Sequence, residues 1–219
     1  MTDAIAVLSG GMDSTVMLVH TLDKGKTVAA LSFDYGSKHN AREIPMAADL
    51  CKKLGVAHQV VCLPFMNKLF SSSLLQSGGK IPDGGYEQST MQSTVVPFRN
   101  GILISIAVGY AESTGAKEVL LGSHAGDHFI YPDCRPEFNR AFSKTVDLGT
   151  DGKVSLSFPF EHIDKRDIGD LGRGLGVDFA MTWTCYKGGS VHCGVCGACL
   201  ERKHALRYDQ GLDVTRYKQ

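Results

Sequence analysis

The chain has 219 residues, 23 lysines and arginines against 23 aspartates and glutamates, and 43% hydrophobic residues. That size fits one domain, or one domain with a small appendage, and the composition excludes wholesale disorder. A formal net charge of zero removes the electrostatic footprint of a protein that lives on nucleic acid or an anionic membrane.

In chain order, Ala4 to Leu8 is a short apolar run, the pattern of a strand buried on both faces. A glycine turn follows at Ser9-Gly10-Gly11, then helical spacing through Val16, Met17, Val19 and Leu22, ended by Gly25. Thr27 to Phe33 reads as a second strand. Asn40 is placed to cap a helix carrying Ile44, Ala47, Leu50, Cys51 and Leu54, closed by Gly55. Val56 to Leu63 is a third strand. Phe65 to Leu75 has weak helical character, and Gln76 to Val95 reads as a long loop, of the kind that serves as a binding loop or lid. Arg99 to Ser113 is a helix, Glu118 to Gly122 a fourth strand, and Pro136 to Leu148 a helix. Val154 to Phe158 is extended, Asp164 caps a helix through Leu175, and Leu200 to Tyr208 closes the chain as a helix.

This alternation predicts an α/β fold, a Rossmann-like doubly wound and mostly parallel sheet, with ligands at the carboxyl ends of the strands. The expected division is a nucleotide-binding domain over 1–180 and a small metal-binding segment over 181–219 packed on it. No apolar run nears the roughly 18 residues that cross a bilayer, and the N-terminus lacks the features of a secretory signal. The expectation is a cytoplasmic protein without a membrane or a stable nucleic-acid partner.

Seven residues carry the most chemistry: Ser9-Gly10-Gly11-Met12-Asp13-Ser14-Thr15, between the first strand and the first helix. Glycines there let backbone come close to a ligand, freed N–H groups and a helix N-terminus form an anion nest, and Ser9, Ser14 and Thr15 add hydroxyls. Asp13 at the same rim suits magnesium. Neither G-x-x-x-x-G-K-[ST] nor G-x-G-x-x-G occurs, so this is neither a Walker loop nor a dinucleotide fingerprint.

The second constellation is Cys185, Cys193, Cys196 and Cys199 in glycine-rich sequence. Four closely spaced thiolates with no obvious open position suit one structural zinc ion. A Cys3His site using His192, and an iron–sulfur cluster, are the alternatives. Cys51, Cys62 and Cys134 stand apart; an odd count in a chain this long points to a reducing compartment.

The first motif resembles the SGGxDS signature of the PP-loop ATP pyrophosphatases. With the cysteine motif, and with SFDYGSKH (32–39), VPFRN (96–100), YPDCRPEF (131–138) and TWTCYKGG (182–189), the chain resembles the 7-cyano-7-deazaguanine (preQ0) synthase family over nearly its whole length. Two departures stand out: Phe98 where many members have glycine, and Asp127-His128-Phe129-Ile130 where many read D-x-S-G. The resemblance implies an ATP-dependent carbon–nitrogen ligase of queuosine biosynthesis. It would convert 7-carboxy-7-deazaguanine and ammonia to the nitrile through adenylates and an amide, as a homodimer using ATP, magnesium and one structural zinc.

Carried onto this sequence, Leu8, Ser9, Gly10, Gly11, Met12, Asp13, Ser14, Thr15, Val16, Met17 and Leu18 form the nucleotide-binding stretch. Asp13, Ser14, Arg99, Asp133 and Arg135 are the candidate catalytic residues. Arg99 suits a carboxylate or phosphate, Asp133 or Glu137 the N–H edge of the deazaguanine, and Arg135 supports that carboxylate or a phosphate. Asp127 and Lys165 are weaker candidates; His39, His124 and His128 lie near strand ends without an assigned role, and Tyr35 and Trp183 are placed to stack on a flat base. Two rivals remain: a PP-loop tRNA thiolase, for which Cys134 is the residue to watch, and a non-catalytic nucleotide sensor.

Overall fold

A computed structural model describes residues 2–85 and 91–218. Among these residues five strands form one sheet in the order β3-β2-β1-β4-β5: β1 (Ala4–Val7), β2 (Val28–Asp34), β3 (Ala57–Cys62), β4 (Glu118–Leu120) and β5 (Ser155–Ser157). Every neighbouring pair is parallel, with β1 between β2 and β4. The order therefore reverses between β1 and β4. That switch point opens a crevice at the strands' carboxyl ends.

The helices are α1 (Met12–Asp23), α2 (Asn40–Leu54), α3 (Pro64–Leu69), α4 (Arg99–Thr114), α5 (Pro136–Gly149), α6 (Lys165–Gly174) and α7 (Gly197–Ala205). Because strand side chains alternate between faces, the two faces of the sheet build two cores. Ala4, Ala6, Leu8 and Ala30 pack with Val16 and Met17 of α1, Ala47 and Leu50 of α2, and Ile168 of α6. Ile5, Leu31 and Val119 pack on the other face with Leu103, Ile104 and Ala107 of α4. All four clustered cysteines belong to that second core, so the cysteine segment is continuous with the sheet's own packing.

Several expectations change. Phe65 to Leu75 does not hold as one helix: α3 ends at Leu69, and Ser37 bridges antiparallel to Leu75. Lys38 ties that segment down by donating to the carbonyls of Ser73 at 2.7 Å and Gly78 at 3.0 Å. The long loop carries a short 3-10 turn at Gln92–Thr94, and residues 86–90 of it lie outside the described residues. Asn40 does not cap α2. It is the helix's first residue, and its Nδ2 donates to Asp34 Oδ1 at 2.8 Å, tying α2 to the end of β2. Asp164 does cap α6, accepting from the N–H groups of Arg166 at 2.8 Å and Asp167 at 2.9 Å.

The closing helix starts at Gly197 rather than Leu200, which puts Cys199 on its first turn. Gln92–Thr114 is long and apolar enough, by length and composition, to cross a membrane, although its regular helix is Arg99–Thr114. Its apolar character is accounted for by the core, since Leu103, Ile104, Ala107, Val108 and Ala111 are buried.

Candidate active site

A cavity of about 200 Å³ lies at the switch point. Leu8 and Ser9 enter it from the end of β1, Tyr35 from the end of β2, and Gly122 and Ser123 from the end of β4. Asp13 and Ser14 of α1, His39 just before α2, Asn40 and Glu43 of α2, Arg99 and Asn100 of α4, Asp127, and Lys165 of α6 add to the polar lining. Trp183, Thr184, Tyr186 and Ala198, flanking or within the cysteine segment, close one side.

The glycine turn is shaped more by its neighbours than by an open approach to a ligand. Gly10 has φ +92°, and a Cβ there would lie 2.2 Å from the backbone oxygen of Glu43. Gly10 therefore lets the turn nest against α2. Its own carbonyl accepts from the Trp183 N–H at 2.9 Å, which joins the turn to the cysteine segment. The Ser9 and Ser14 hydroxyls lie 3.0 Å apart, and Ser14 Oγ donates to the Gly11 carbonyl at 3.2 Å. Of the stretch expected to bind nucleotide, Leu8, Ser9, Asp13 and Ser14 line the cavity. Met12, Val16, Met17 and Leu18 are buried in the core under the loop, and Thr15 is buried beside them with no hydroxyl partner among the described residues.

Asp13 and Lys165 meet: Nζ lies 3.1 Å from Asp13 Oδ2 and 2.7 Å from Glu201 Oε2. Burial opposes the Lys165 charge, but Asp13, Glu201 and Asp127 outweigh it and raise its pKa well above the ordinary lysine value. Asp13 Oδ1 is buried with no hydrogen-bond partner among the described residues, which fits a cation-ligating oxygen.

Arg99 also lines the cavity. Burial works against its charge, yet Tyr35, Cys134, Asp133 and Tyr131 raise its pKa further, so it remains a fixed cation. Its guanidinium lies 5.9 Å from the Tyr131 ring centroid.

Asp133 and Arg135 do not reach the cavity. Asp133 Oδ2 accepts from the Asn100 N–H at 2.8 Å and so caps α4, while Arg135 is exposed and donates to the His128 carbonyl at 3.0 Å. Glu137 is exposed as well. The sequence placed these three at the site because YPDCRPEF is one motif; the structure shows Tyr131 and Cys134 facing in and the charged members facing elsewhere.

Asp127 lines the cavity, its pKa raised by burial against the pull of His124 and Lys165. Tyr35 and Trp183 are cavity walls, and Tyr186 adds a third ring over His39, at 5.4 Å. His39 is buried, and its pKa falls to about 4 through burial and the nearby Arg99. Its imidazole is therefore neutral near pH 7.

Sequence reasoning missed Glu43. Burial pushes its pKa up to about 8, Arg99 opposing and Asp13 reinforcing. Nothing in a lone glutamate at the start of an amphipathic helix marks it; only the crossing of α2 over the glycine turn does.

Cys185, Cys193, Cys196 and Cys199 are buried with their sulfurs within 4.8 Å of one another. Zinc–sulfur bonds of about 2.3 Å in a tetrahedron separate sulfurs by about 3.8 Å, so the donor set fits one metal ion. His192 is not the fourth ligand: its Nε2 accepts from the Thr184 N–H at 3.2 Å, and its ring stacks on Trp183 at 4.2 Å. Arg202 is fully buried and makes no ion pair among the described residues. It donates to Thr215, Thr182 and Thr184 hydroxyls at 2.8 Å and to the Phe179 carbonyl at 2.7 Å.

Comparison with known proteins agrees with this geometry. The family described as "Queuosine biosynthesis protein QueC" matches residues 3–210. A 7-cyano-7-deazaguanine synthase from Desulfotalea psychrophila is 67% identical over 217 residues, covering 99% of both chains. One from Porphyromonas gingivalis is 50% identical over 218 residues, covering 99% of this chain and 97% of the relative. Among solved structures, the NMN synthetase from Francisella tularensis superposes with a TM-score of 0.54 at 15% identity, over 97% of this chain and 79% of that one, a likeness of fold.

Proposed function

The chain belongs to the QueC family of queuosine biosynthesis proteins, and from that premise we propose that it converts 7-carboxy-7-deazaguanine and ammonia to 7-cyano-7-deazaguanine at the expense of ATP. The observation that carries the proposal is the meeting of the SGGMDS turn, Arg99 and aromatic walls in one cavity, within a chain matched end to end by synthases of that name. The reaction must strip both oxygens from a carboxylate. Each leaves as part of AMP, so two adenylations with an amide between them account for the chemistry.

In this reading Ser9, Ser14 and the amides of the turn hold phosphate oxygens, with the α1 N-terminus favouring their charge. Arg99 faces the substrate carboxylate or the α-phosphate, where a permanent cation stabilises charge that develops in the transition state. Tyr35, Trp183 and Tyr186 sandwich the flat heterocycle. Asp13, with its free Oδ1, holds the magnesium that neutralises the phosphates of ATP. Lys165 keeps that carboxylate in place. Zinc on the four thiolates supplies a crosslink that fixes the Trp183–Ala198 wall. Asp133 and Arg135 drop to supporting roles, Asp133 by anchoring the α4 N-terminus beside Arg99. The reducing compartment suited to four metal-binding thiols is the cytoplasm, and the assembly is proposed as a homodimer.

A thiolase reading is disfavoured by Cys134. Its thiol is buried, and burial reinforced by Asp127 raises its pKa well above the ordinary value, so it is not a ready thiolate. The deciding experiment incubates the purified chain with 7-carboxy-7-deazaguanine, ammonium and Mg-ATP. A nitrile product by mass, with AMP and pyrophosphate, is expected; absence of AMP with this acid would overturn the proposal.

A further inference from the structure

We propose that Glu43 is the catalytic base that takes the proton off nitrogen when the adenylated intermediates collapse. The inference rests on the synthase reading above and deepens it. Converting an amide to a nitrile releases both N–H protons. One leaves as the amide oxygen attacks the α-phosphate. The other must leave as the C–O bond to AMP breaks, its electron pair departing on AMP while the N–H pair becomes the third C–N bond. That second proton needs an acceptor beside the reacting carbon, close to where the phosphate loop holds ATP.

Glu43 stands at that place. Its backbone oxygen packs against Gly10, and its Oε1 lies 3.7 Å from where a Cβ on Gly11 would be. Its side chain is 14% exposed and lines the cavity. The other two carboxylates lining it are engaged: Asp13 with Lys165 at 3.1 Å, and Asp127 with the backbone N–H of His124 at 3.4 Å. His39 Nε2 lies 3.6 Å from Glu43 Oε2, on a ring that is neutral at working pH.

The charged and titratable groups facing Glu43 are His39 just before its helix, Asp13 of α1, Tyr35 after β2, Arg99 of α4 and Lys165 of α6. Burial and Asp13 make its carboxylate more basic than an ordinary one, and Arg99 and Lys165 keep it from becoming permanently protonated. A base poised near the operating pH is the efficient choice. The amide-forming half reaction uses the same group: ammonia adds to the acyl adenylate, the C–O bond to AMP breaks, and the surplus N–H proton passes to Glu43.

The test supplies the amide and Mg-ATP, so that ammonia's own titration does not enter, and measures nitrile formation against pH. The wild-type rate should rise with pH and level off above about 8. Glu43→Gln, which resembles the protonated acid in shape, should keep KM for ATP and amide within a few-fold, lose about 100- to 10,000-fold in kcat and lose the pH limb. Glu43→Asp, which retains a carboxylate, should recover part of kcat. Three results overturn the inference: a Gln variant with near wild-type kcat, a rise in KM with kcat unchanged, or an Asp variant as inactive as the Gln one. If wild-type protein makes no nitrile from the amide, the synthase reading itself fails, a distinct outcome.

Discussion

Two carboxylates of this chain show how burial assigns different work to the same chemical group. Asp133 is buried because it caps α4, and the Asn100 N–H it accepts is itself buried. Asp133→Ala should cost about 1–2 kcal/mol of stability through the lost cap, visible as a lower midpoint in chemical denaturation. Affinity for the deazaguanine should stay within a few-fold; lost affinity at undiminished stability would return Asp133 to the substrate site. Glu43 has no cap to make. Its pKa is raised from 4.5 to about 8, chiefly by burial, so between those values the folded state holds a proton that the unfolded chain has released. Stability therefore falls as pH rises across that window and stays low above it. Glu43→Gln removes the penalty. At pH 9 the variant should be more stable than wild type by up to about 5 kcal/mol, and at pH 4 the difference should vanish. The gain would come at a catalytic position, the pattern of a site that trades stability for activity.

The elements were legible in the sequence where local chemistry and tertiary demand agreed. Buried runs gave β1 and β2, Gly55 closed α2 with φ +67°, and Asp164 capped α6. They were misread where a long-range contact decided. Phe65 to Leu75 has helical composition, but the bridge to Ser37 and the grip of Lys38 turn its second half into a strap. Asn40 has a capping side chain, but Asp34 claims it. At the glycine turn the residues were correctly singled out and the reason for one of them was not, since Gly10 meets α2. This separates two neighbouring glycines. Gly10→Ala combines φ +92° with a backbone oxygen 2.2 Å from the new Cβ, so the turn must leave α2. ATP affinity should fall by an order of magnitude or more, with a lower melting temperature. Gly11 has φ −76° and ψ 167°, and the nearest atom to its Cβ would be the movable Ser9 hydroxyl at 3.1 Å. Gly11→Ala should keep the fold and lose less affinity; equal losses at both positions, measured by titration calorimetry, would show that ligand approach limits both.

At the scale of the whole molecule, the expected split into a 1–180 domain and a 181–219 segment understates how the two are joined. The four cysteines pack in the same core as Ile5, Leu31 and Val119, Trp183 donates to Gly10, and Arg202 stitches the closing helix to residues 179–184. Structural zinc in finger peptides contributes apparent binding of about 10–16 kcal/mol, and a domain's net stability is only about 5–15 kcal/mol. If the segment were an independent appendage, stripping the metal would unfold it alone and spare ATP binding. Because it walls the cavity, metal removal should instead lower the main unfolding transition and abolish ATP-dependent AMP release together. The measurement is a thermal melt and an AMP assay before and after treatment with a thiol-competing chelator, with metal content followed in the same samples. One zinc per chain and no iron–sulfur absorbance are expected beforehand, and zinc added back should restore both signals. A chelated protein that melts as before and still releases AMP would separate the cysteine segment from the catalytic fold.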